Sequence, residues 1–188
     1  MRHRVFLSLG IVLVALTGMA ALAQARAPAT SGQEEVGQAN AHILGGSGVL
    51  HIAGASFVPE SDTTVYTTYA EGDVAVTGGS ARWMHAPVLL PDGALVSGLT
   101  FYFKDNHGSN SMIARLYRNN DPGVGARTML AQAPSPPGVS WPGNAYSPTT
   151  PNPVEIDNGR YTYEVEVEWS SGSPDLRLMS VKLFYTNP

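Results

Sequence analysis

Three glutamates at alternate positions are the residues in this sequence that come closest to an acid–base pair. Glu164, Glu166 and Glu168 lie in the run YTYEVEVEW (161–169), in which every other residue is apolar or aromatic. On a strand the three side chains share one face, and neighbouring carboxylates stand roughly 7 Å apart. That separation overlaps the ~6.5–9.5 Å of inverting glycosidases. Catalytic carboxylates need contrasting surroundings, however, and these positions are equivalent, so the pattern favours a solvated, charged face.

A polar segment, KDNHGSNS (104–111), carries oxygen donors of the kind that Ca²⁺ prefers. The candidate ligands are Asp105, Asn106 and Asn110. Their spacing matches no calcium-binding loop, and Asp and Asn are also ordinary turn-forming residues. The sequence therefore leaves a calcium site and a plain loop as alternatives, and it suggests no other cofactor.

Other catalytic motifs are missing from the sequence. It has no HExxH pair and no GxSxG elbow, so a zinc site would need distant histidines to converge. The Gly-rich pieces are not followed by Lys and a helix, as a phosphate-binding loop requires. The residues weighed for these chemistries are His42, His51, His85, His107, Ser47 and Ser80.

Two aromatic residues, Trp141 and Tyr146, lie in the proline-rich segment 134–153 and are not explained by strand periodicity. This segment holds seven of the fourteen prolines, and it is predicted to be a long exposed loop. Flat rings on a rigid loop can stack on a sugar ring, which makes both residues candidate ligand-binding residues. The alternative is that both rings fold down over the end of the domain, because ring burial is strongly stabilising.

The elements that must position these residues are predicted to be strands joined by tight turns. Residues 94–103 alternate between a Leu and Phe face and a polar face, and LPDGA (90–94) is a turn between two strands. Asn158-Gly159 predicts a tight hairpin turn. The strands 161–169 and 176–186 are predicted to pair, with a bulge near Met179 or Ser180 that keeps the later apolar residues inside.

The fold class predicted from these signals is all-β, an antiparallel β-sandwich of the jelly-roll type, with an immunoglobulin-like sandwich as the alternative. Gly and Pro together make up 34 residues and charged residues only 14%, which is typical of short strands and turns. The net charge of −4 argues against a nucleic-acid partner. No cysteine is present, so the hydrophobic core alone must hold the fold.

The N-terminus has the layout of a secretory signal: basic residues, an apolar run, and then small residues ending in ALAQA. Cleavage is predicted after Ala25, with Ala23 as the second choice. The domains are therefore a signal peptide (1–25), a flexible leader (26–47) and one β-sandwich (48–188). We expect a secreted, periplasmic or cell-surface protein of bacterial type, with no membrane span after cleavage.

A resemblance covers most of residues 49–186. It rests on the stretch APVLLPDGALVSGLTFYFKDN (86–106) and on the closing pattern YTYEVEVEW…LRLMSVKLFYT. The chain resembles an uncharacterised group of small exported bacterial all-β proteins that share an LPxGA turn and a C-terminal β-hairpin. The shared residues belong to the framework. The resemblance therefore implies the fold and no activity.

Taken together, these patterns predict a secreted or surface-exposed module without catalytic function, which acts by binding a glycan or protein partner or by self-assembly into a homo-oligomer. A secreted carbohydrate-active enzyme is the alternative. A glycan binder should expose Trp141 and Tyr146, and an assembly subunit should expose an apolar patch on a sheet face. An enzyme should have a deep pocket whose carboxylates differ in environment.

Overall fold

The computed structural model describes residues 46–120, 126–136, 138 and 142–187. The predicted signal peptide, most of the predicted leader and Trp141 lie outside the described residues. The described part forms strands and one short 3₁₀ turn, and it contains no helix long and apolar enough to cross a membrane. The strands are β1 (Ser47–Ala53), β2 (Val58–Pro59), β3 (Val65–Thr68), β4 (Val74–Gly78), β5 (Trp83–Pro87), β6 (Leu95–Asp105), β7 (Met112–Asn120), β8 (Arg127–Pro134), β9 (Gly143–Pro148), β10 (Val154–Glu155), β11 (Tyr161–Trp169) and β12 (Leu176–Thr186).

The strands form two antiparallel sheets. In the large sheet, β6 pairs with β9 and β10 on one side and with β12 on the other; β12 then pairs with β1 and β4, and β3 is the edge. The small sheet has the order β2-β5-β11-β7-β8. The chain passes from one sheet to the other in most of its connections, so the fold is an antiparallel β-sandwich of the jelly-roll type, as the sequence predicts.

The core is formed by the inward residues of both sheets, and its alternation follows the predicted period of two. Leu99, Phe101 and Phe103 of β6 are fully buried, as is Trp169 of β11. The indole Nε1–H of Trp169 donates to the carbonyl of Leu176 at 3.0 Å, which links the two sheets. Trp83, which its sequence context also suggests for the core, instead lies partly exposed on the outer face of the small sheet, since its neighbour on β5 points inward.

The predicted bulge in the final strand is confirmed, but its partner strand is different from the one predicted. The register of β12 shifts between Leu178 and Ser180, and the residues on both sides of the shift are buried in the core. The neighbour of β12 is β6, however, and β11 lies in the other sheet. The predicted C-terminal hairpin is therefore wrong: the turn after Trp169 carries the chain across the sandwich.

The predicted hairpin turn at Asn158-Gly159 is wrong for the same reason. The strand before it belongs to the large sheet and the strand after it to the small one. The turn is closed by the N–H of Tyr161, which donates to the carbonyl of Asp157 at 3.0 Å. Gly159 is not among the described glycines with positive φ. The glycine of the LPDGA turn, Gly93, does have a positive φ of 78°.

The proline-rich segment is more regular than predicted, because it contains β9. This strand pairs with β6 from Gly143↔Phe103 to Pro148↔Gly98. Five consecutive residues without proline separate Pro142 from Pro148, and an edge strand needs only alternate N–H groups for its single neighbour. The prediction of a long loop without ladder pairing is therefore wrong over residues 143–148.

Candidate functional site

The outer face of the large sheet carries a group of aromatic and apolar residues, of which Val49 and Tyr146 are exposed and Tyr102 and Phe184 are half-buried. Leu99, Phe101 and Leu183 are buried in the core, so alternate residues of the same strands point outward. The register places β9, β6, β12 and β1 side by side across this face. We call the resulting patch the aromatic face; its residues are Val49, Gly98, Tyr102, Tyr146 and Phe184.

Tyr146 lies on the edge strand β9, and its ring rests on the backbone of Gly98 in the neighbouring strand. A Cβ added at Gly98 would lie 2.7 Å from the Tyr146 hydroxyl oxygen and 2.8 Å from a ring carbon. The side chain is nevertheless 58% exposed. The Phe184 ring meets it edge-on, with 6.3 Å between centroids. One side of the Tyr146 ring is therefore held by the sheet and by Phe184 while the rest is open to solvent.

Polar groups border these rings along the same strands. Thr100 lies directly between Tyr146 and Lys182 in the register of the sheet. The Lys182 ammonium lies 4.8 Å from the centroid of the Tyr102 ring. Asn144, on the other side of Tyr102, is exposed. The face thus combines flat apolar surface with hydrogen-bonding groups at its border.

A cleft of about 530 Å³ continues the aromatic face beyond Phe184. Its volume lies within the range of pockets that hold small ligands. Gly48 makes room for the Tyr185 ring there, since a Cβ would lie 2.6 Å from a ring carbon. The lining residues are Ser47, Gly48, Val49, Leu95, Ser97, Asn152, Pro153, Phe184, Tyr185 and Thr186.

The three glutamates lie on the outer face of the small sheet, and they are not equivalent. The Glu166 side chain is only 3% exposed, and its carboxylate contacts Arg127 Nη1 at 2.7 Å and Arg115 Nη1 at 3.3 Å. Glu168 contacts Arg115 at 2.7 Å, and Glu164 contacts Arg127 at 3.6 Å. The prediction of a uniformly solvated face is therefore wrong for Glu166, because arginines of β7 and β8 cover it.

These ion pairs favour the charged form of the arginines. Burial disfavours the charged guanidinium of Arg115, but the hydrogen bond and the negative charge of Glu168 outweigh it and raise the pKa of Arg115. Glu166 has the same effect on the pKa of Arg127. Carboxylates that are each bound to a permanent cation make poor proton carriers. The cluster is arranged to hold β7, β8 and β11 together.

The predicted calcium ligands lie at the end of β6 and in the loop after it. Asp105 is fully buried, and its two carboxylate oxygens accept hydrogen bonds from the His107 N–H at 3.1 Å and from the Ser135 hydroxyl at 2.7 Å. Asn106 is exposed, and the Asn110 amide lies 2.9 Å from the His107 ring. No group of three or more metal-binding side chains occurs among the described residues. Calcium at this loop stays a prediction.

The sequence identified one residue of the aromatic face, Tyr146, and missed Tyr102 and Phe184. The structure puts Tyr146 on a strand rather than on a loop, while Trp141 lies outside the described residues. A signal for the missed pair was present: both are aromatic residues at positions where the period of two points outward. What the sequence lacked was the order of the strands that brings them together.

Comparison with known proteins gives structural likenesses alone. No protein-family profile matches the sequence, and no curated protein matches it. The chain is similar to the C-terminal family 6 carbohydrate-binding module of a marine laminarinase from Zobellia galactanivorans, with 14% identity, a TM-score of 0.44, and coverage of 72% of this chain and 98% of that one. It is also similar to a xylan-binding module of family 15, with 11% identity, a TM-score of 0.47, and coverage of 76% and 99%.

A third similar structure is a family 36 carbohydrate-binding domain of a multidomain xylanase from the hindgut metagenome of Trinervitermes trinervoides. The identity is 11%, the TM-score is 0.45, and the match covers 72% of this chain and 96% of that one. At TM-scores below 0.5 these likenesses carry no argument about this chain. Any function must therefore be argued from the side chains of this chain.

Proposed function

We propose that this protein is an exported, non-catalytic β-sandwich module that binds a glycan on the aromatic face. The observation that carries this proposal is the Tyr146 ring, which lies against the backbone of Gly98 and yet is open to solvent. In the free protein the apolar surface of this exposed ring is hydrated, which is unfavourable. A ligand that covers the ring recovers this free energy.

A pyranose ring suits this surface because one of its faces presents C–H groups and its edge presents hydroxyls. Stacking the C–H face on Tyr146 buries apolar area at about 25 cal/mol per Å². Asn144 is exposed on the same strand as Tyr146 and offers hydrogen bonds to the hydroxyls. The cleft beyond Phe184 extends the surface far enough for more than one sugar unit.

The carboxylates of the small sheet support a non-catalytic role. Glu164, Glu166 and Glu168 each contact an arginine, and they lie on the sheet opposite to the one that carries the aromatic face. A glycosidase needs one free acid and one free base beside the same sugar. The cluster offers neither, which favours binding over hydrolysis.

Substitution of the two stacked rings tests glycan binding. A glycan array identifies the ligands of the unaltered protein, and affinity electrophoresis then compares Tyr146→Ala and Phe184→Ala with it. We expect Tyr146→Ala to abolish retention and Phe184→Ala to weaken it, while the melting temperature stays nearly unchanged because the rings lie outside the core.

Tyr66→Ala is the matched control, since Tyr66 is an exposed tyrosine on the edge strand of the same sheet. It should retain binding. A large fall in the melting temperature of Tyr146→Ala would show that the ring is needed for folding and would contradict the proposal. Retention of binding by Tyr146→Ala would contradict it as well.

Self-assembly is the rival explanation of an exposed apolar face. Val49 is 51% exposed beside Phe184, and a second copy packed on this face would cover it together with Tyr146. Sedimentation of the unaltered protein and of Tyr146→Ala distinguishes the two functions. A monomer in both cases supports ligand binding, and an oligomer that the substitution dissociates supports assembly.

Export is supported by the basic, apolar and small-residue segments of residues 1–25. Mass spectrometry of protein recovered outside the cytoplasm should give a chain that begins at Arg26. A chain that still begins at Met1 would contradict export by this route.

A further inference from the structure

Charge is distributed unequally between the two outer faces of the sandwich. The protein carries a net charge of −4, and three glutamates lie on the outer face of the small sheet. On the large sheet, none of the outward-pointing residues of β1, β6, β9 and β12 is acidic, and all four strands belong to the described part. Asp105 is buried on the core side of β6. The five residues of the aromatic face thus include no carboxylate, and Asp73, which precedes β4 of the same sheet, is ion-paired with Lys104.

Lys182 lies within this acid-free face. Its ammonium is 4.8 Å from the centroid of the Tyr102 ring, and it forms no ion pair with the described residues. The contact with the ring holds the side chain against the sheet at a modest gain in free energy. An ammonium has three N–H donors, and the ring does not satisfy all of them. The Lys182 ammonium is therefore held in place by the ring and still has N–H groups with which it can bind an anion.

The neighbours of Lys182 are suited to a sugar ligand. Thr100 lies opposite Lys182 on β6, and the exposed His51 lies opposite it on β1. Tyr146 is the next residue beyond Thr100, two strand spacings or about 10 Å from Lys182. A sugar unit stacked on Tyr146 therefore leaves the following unit of the same chain within reach of the ammonium.

We propose that the glycan bound by the aromatic face is an acidic polysaccharide, and that a uronic acid carboxylate of this glycan pairs with Lys182. This inference rests on the proposed function, because it needs a sugar stacked on Tyr146. The pair is charge-assisted and lies against an aromatic surface that excludes part of the water, which strengthens it relative to a pair in open solvent. The acid-free surroundings leave the carboxylate with no like charge to repel it.

Calorimetric titration with trigalacturonate and with cellotriose tests the assignment. We expect the acidic sugar to bind more tightly, and its affinity to fall as the salt concentration rises. Lys182→Gln should weaken trigalacturonate binding by about tenfold or more, a difference of about 1.4 kcal/mol or more, and should leave cellotriose unchanged. Lys182→Arg should retain most of the affinity, because it keeps the charge.

Arg160→Gln is the control for the loss of a positive charge elsewhere, since Arg160 is well exposed and not on the aromatic face. It should bind trigalacturonate as the unaltered protein does. Polyglutamate is the control for simple attraction between charges, and it should bind weakly and without dependence on Tyr146. Strong binding of polyglutamate would overturn the assignment. Binding of dextran sulfate in place of trigalacturonate would overturn the assignment to a carboxylate.

The outcomes separate this inference from the function on which it rests. If cellotriose binds through Tyr146 while trigalacturonate binds no better and Lys182→Gln changes nothing, the acidic ligand is wrong and glycan binding stands. If Tyr146→Ala leaves the binding of both sugars intact, or neither sugar nor any array glycan binds, the proposed function fails and the inference fails with it.

Discussion

The exposed tyrosine of the aromatic face depends on a glycine in the neighbouring strand. A side chain at position 98 would occupy the space in which the Tyr146 ring lies, because the nearest ring atoms stand 2.7–2.8 Å from the position of a Cβ. Glycine weakens a strand, and it is retained where another group approaches the backbone closely. Here the approaching group is an aromatic ring that the core does not use. Gly98 and Tyr146 together therefore shape the surface of the sheet rather than its core.

At the opposite outer face, Glu166 is the residue whose charge matters most for stability. Glu166→Gln removes the charge that two arginines share, and we expect it to lower the free energy of unfolding by about 2–3 kcal/mol. Glu168→Gln is the matched control. Its side chain is 31% exposed and contacts one arginine, so its cost should stay below about 1 kcal/mol. Urea unfolding measures both, and equal costs would contradict the structural role given to Glu166.

Single residues were predicted well from the sequence where one strand decides the outcome. The alternation in β11 put the three glutamates on one face, and this prediction is confirmed. The burial of Glu166 was not foreseen, because it is caused by Arg115 and Arg127 on two other strands. Solvation of a strand residue depends on what lies beside it, and a local pattern does not contain that information.

Among the elements, β12 is one whose bulge can be predicted from the hydrophobic periodicity of its sequence alone. Leu176 and Leu178 share one parity and Val181 and Leu183 the other, yet all four are buried. An extra residue between the pairs places both on the core face whichever strand lies alongside, whereas a sheet covered on both faces would need no bulge. The same logic applies to β6, where the register shifts again and Val96 takes the core position in place of Leu95.

Deletion of the bulge residue should preserve the fold. Without Met179, the four buried apolar residues of β12 fall at one parity, so simple alternation places all of them in the core. Ser180 would then follow Leu178 without the gap that the register now shows between them. We expect the deletion variant to keep the near-ultraviolet circular dichroism of the folded protein.

Met179→Ala is the control, because it keeps the residue count and alters only a half-buried side chain. It should fold with a slightly lower melting temperature. A deletion variant that loses this signal while Met179→Ala keeps it would show that the extra residue does more than correct the parity, and it would contradict the prediction.

Strand partners were less predictable than strand parity. The sequence places β11 and β12 next to each other with a short turn between them, and local turn chemistry gives no sign of whether such a turn pairs two strands or crosses a sandwich. The structure separates them, and Trp169 contacts Leu176 across the core instead of beside it. The candidate site was the feature least predictable from the sequence, because the aromatic face depends on the order of β9, β6, β12 and β1 in the sheet.

At the scale of the whole molecule, the two sheets depend on each other. Eight of the eleven connections between the described strands cross from one sheet to the other. Each sheet buries one face, and the core cluster draws on both sheets throughout. A sheet that lost its partner would expose this entire face to water, so neither sheet is a separate stable unit.

We therefore expect the described domain to unfold in one cooperative transition. Near-ultraviolet circular dichroism reports the packing around the buried Trp169, and far-ultraviolet circular dichroism reports the strands of both sheets. The two signals should give the same midpoint in urea. The midpoint should also be unaffected by a reducing agent, because the sequence contains no cysteine. If the near-ultraviolet signal were lost at a lower urea concentration than the strands, the sheets would be separating before they unfold, and the mutual dependence of the two sheets would be wrong.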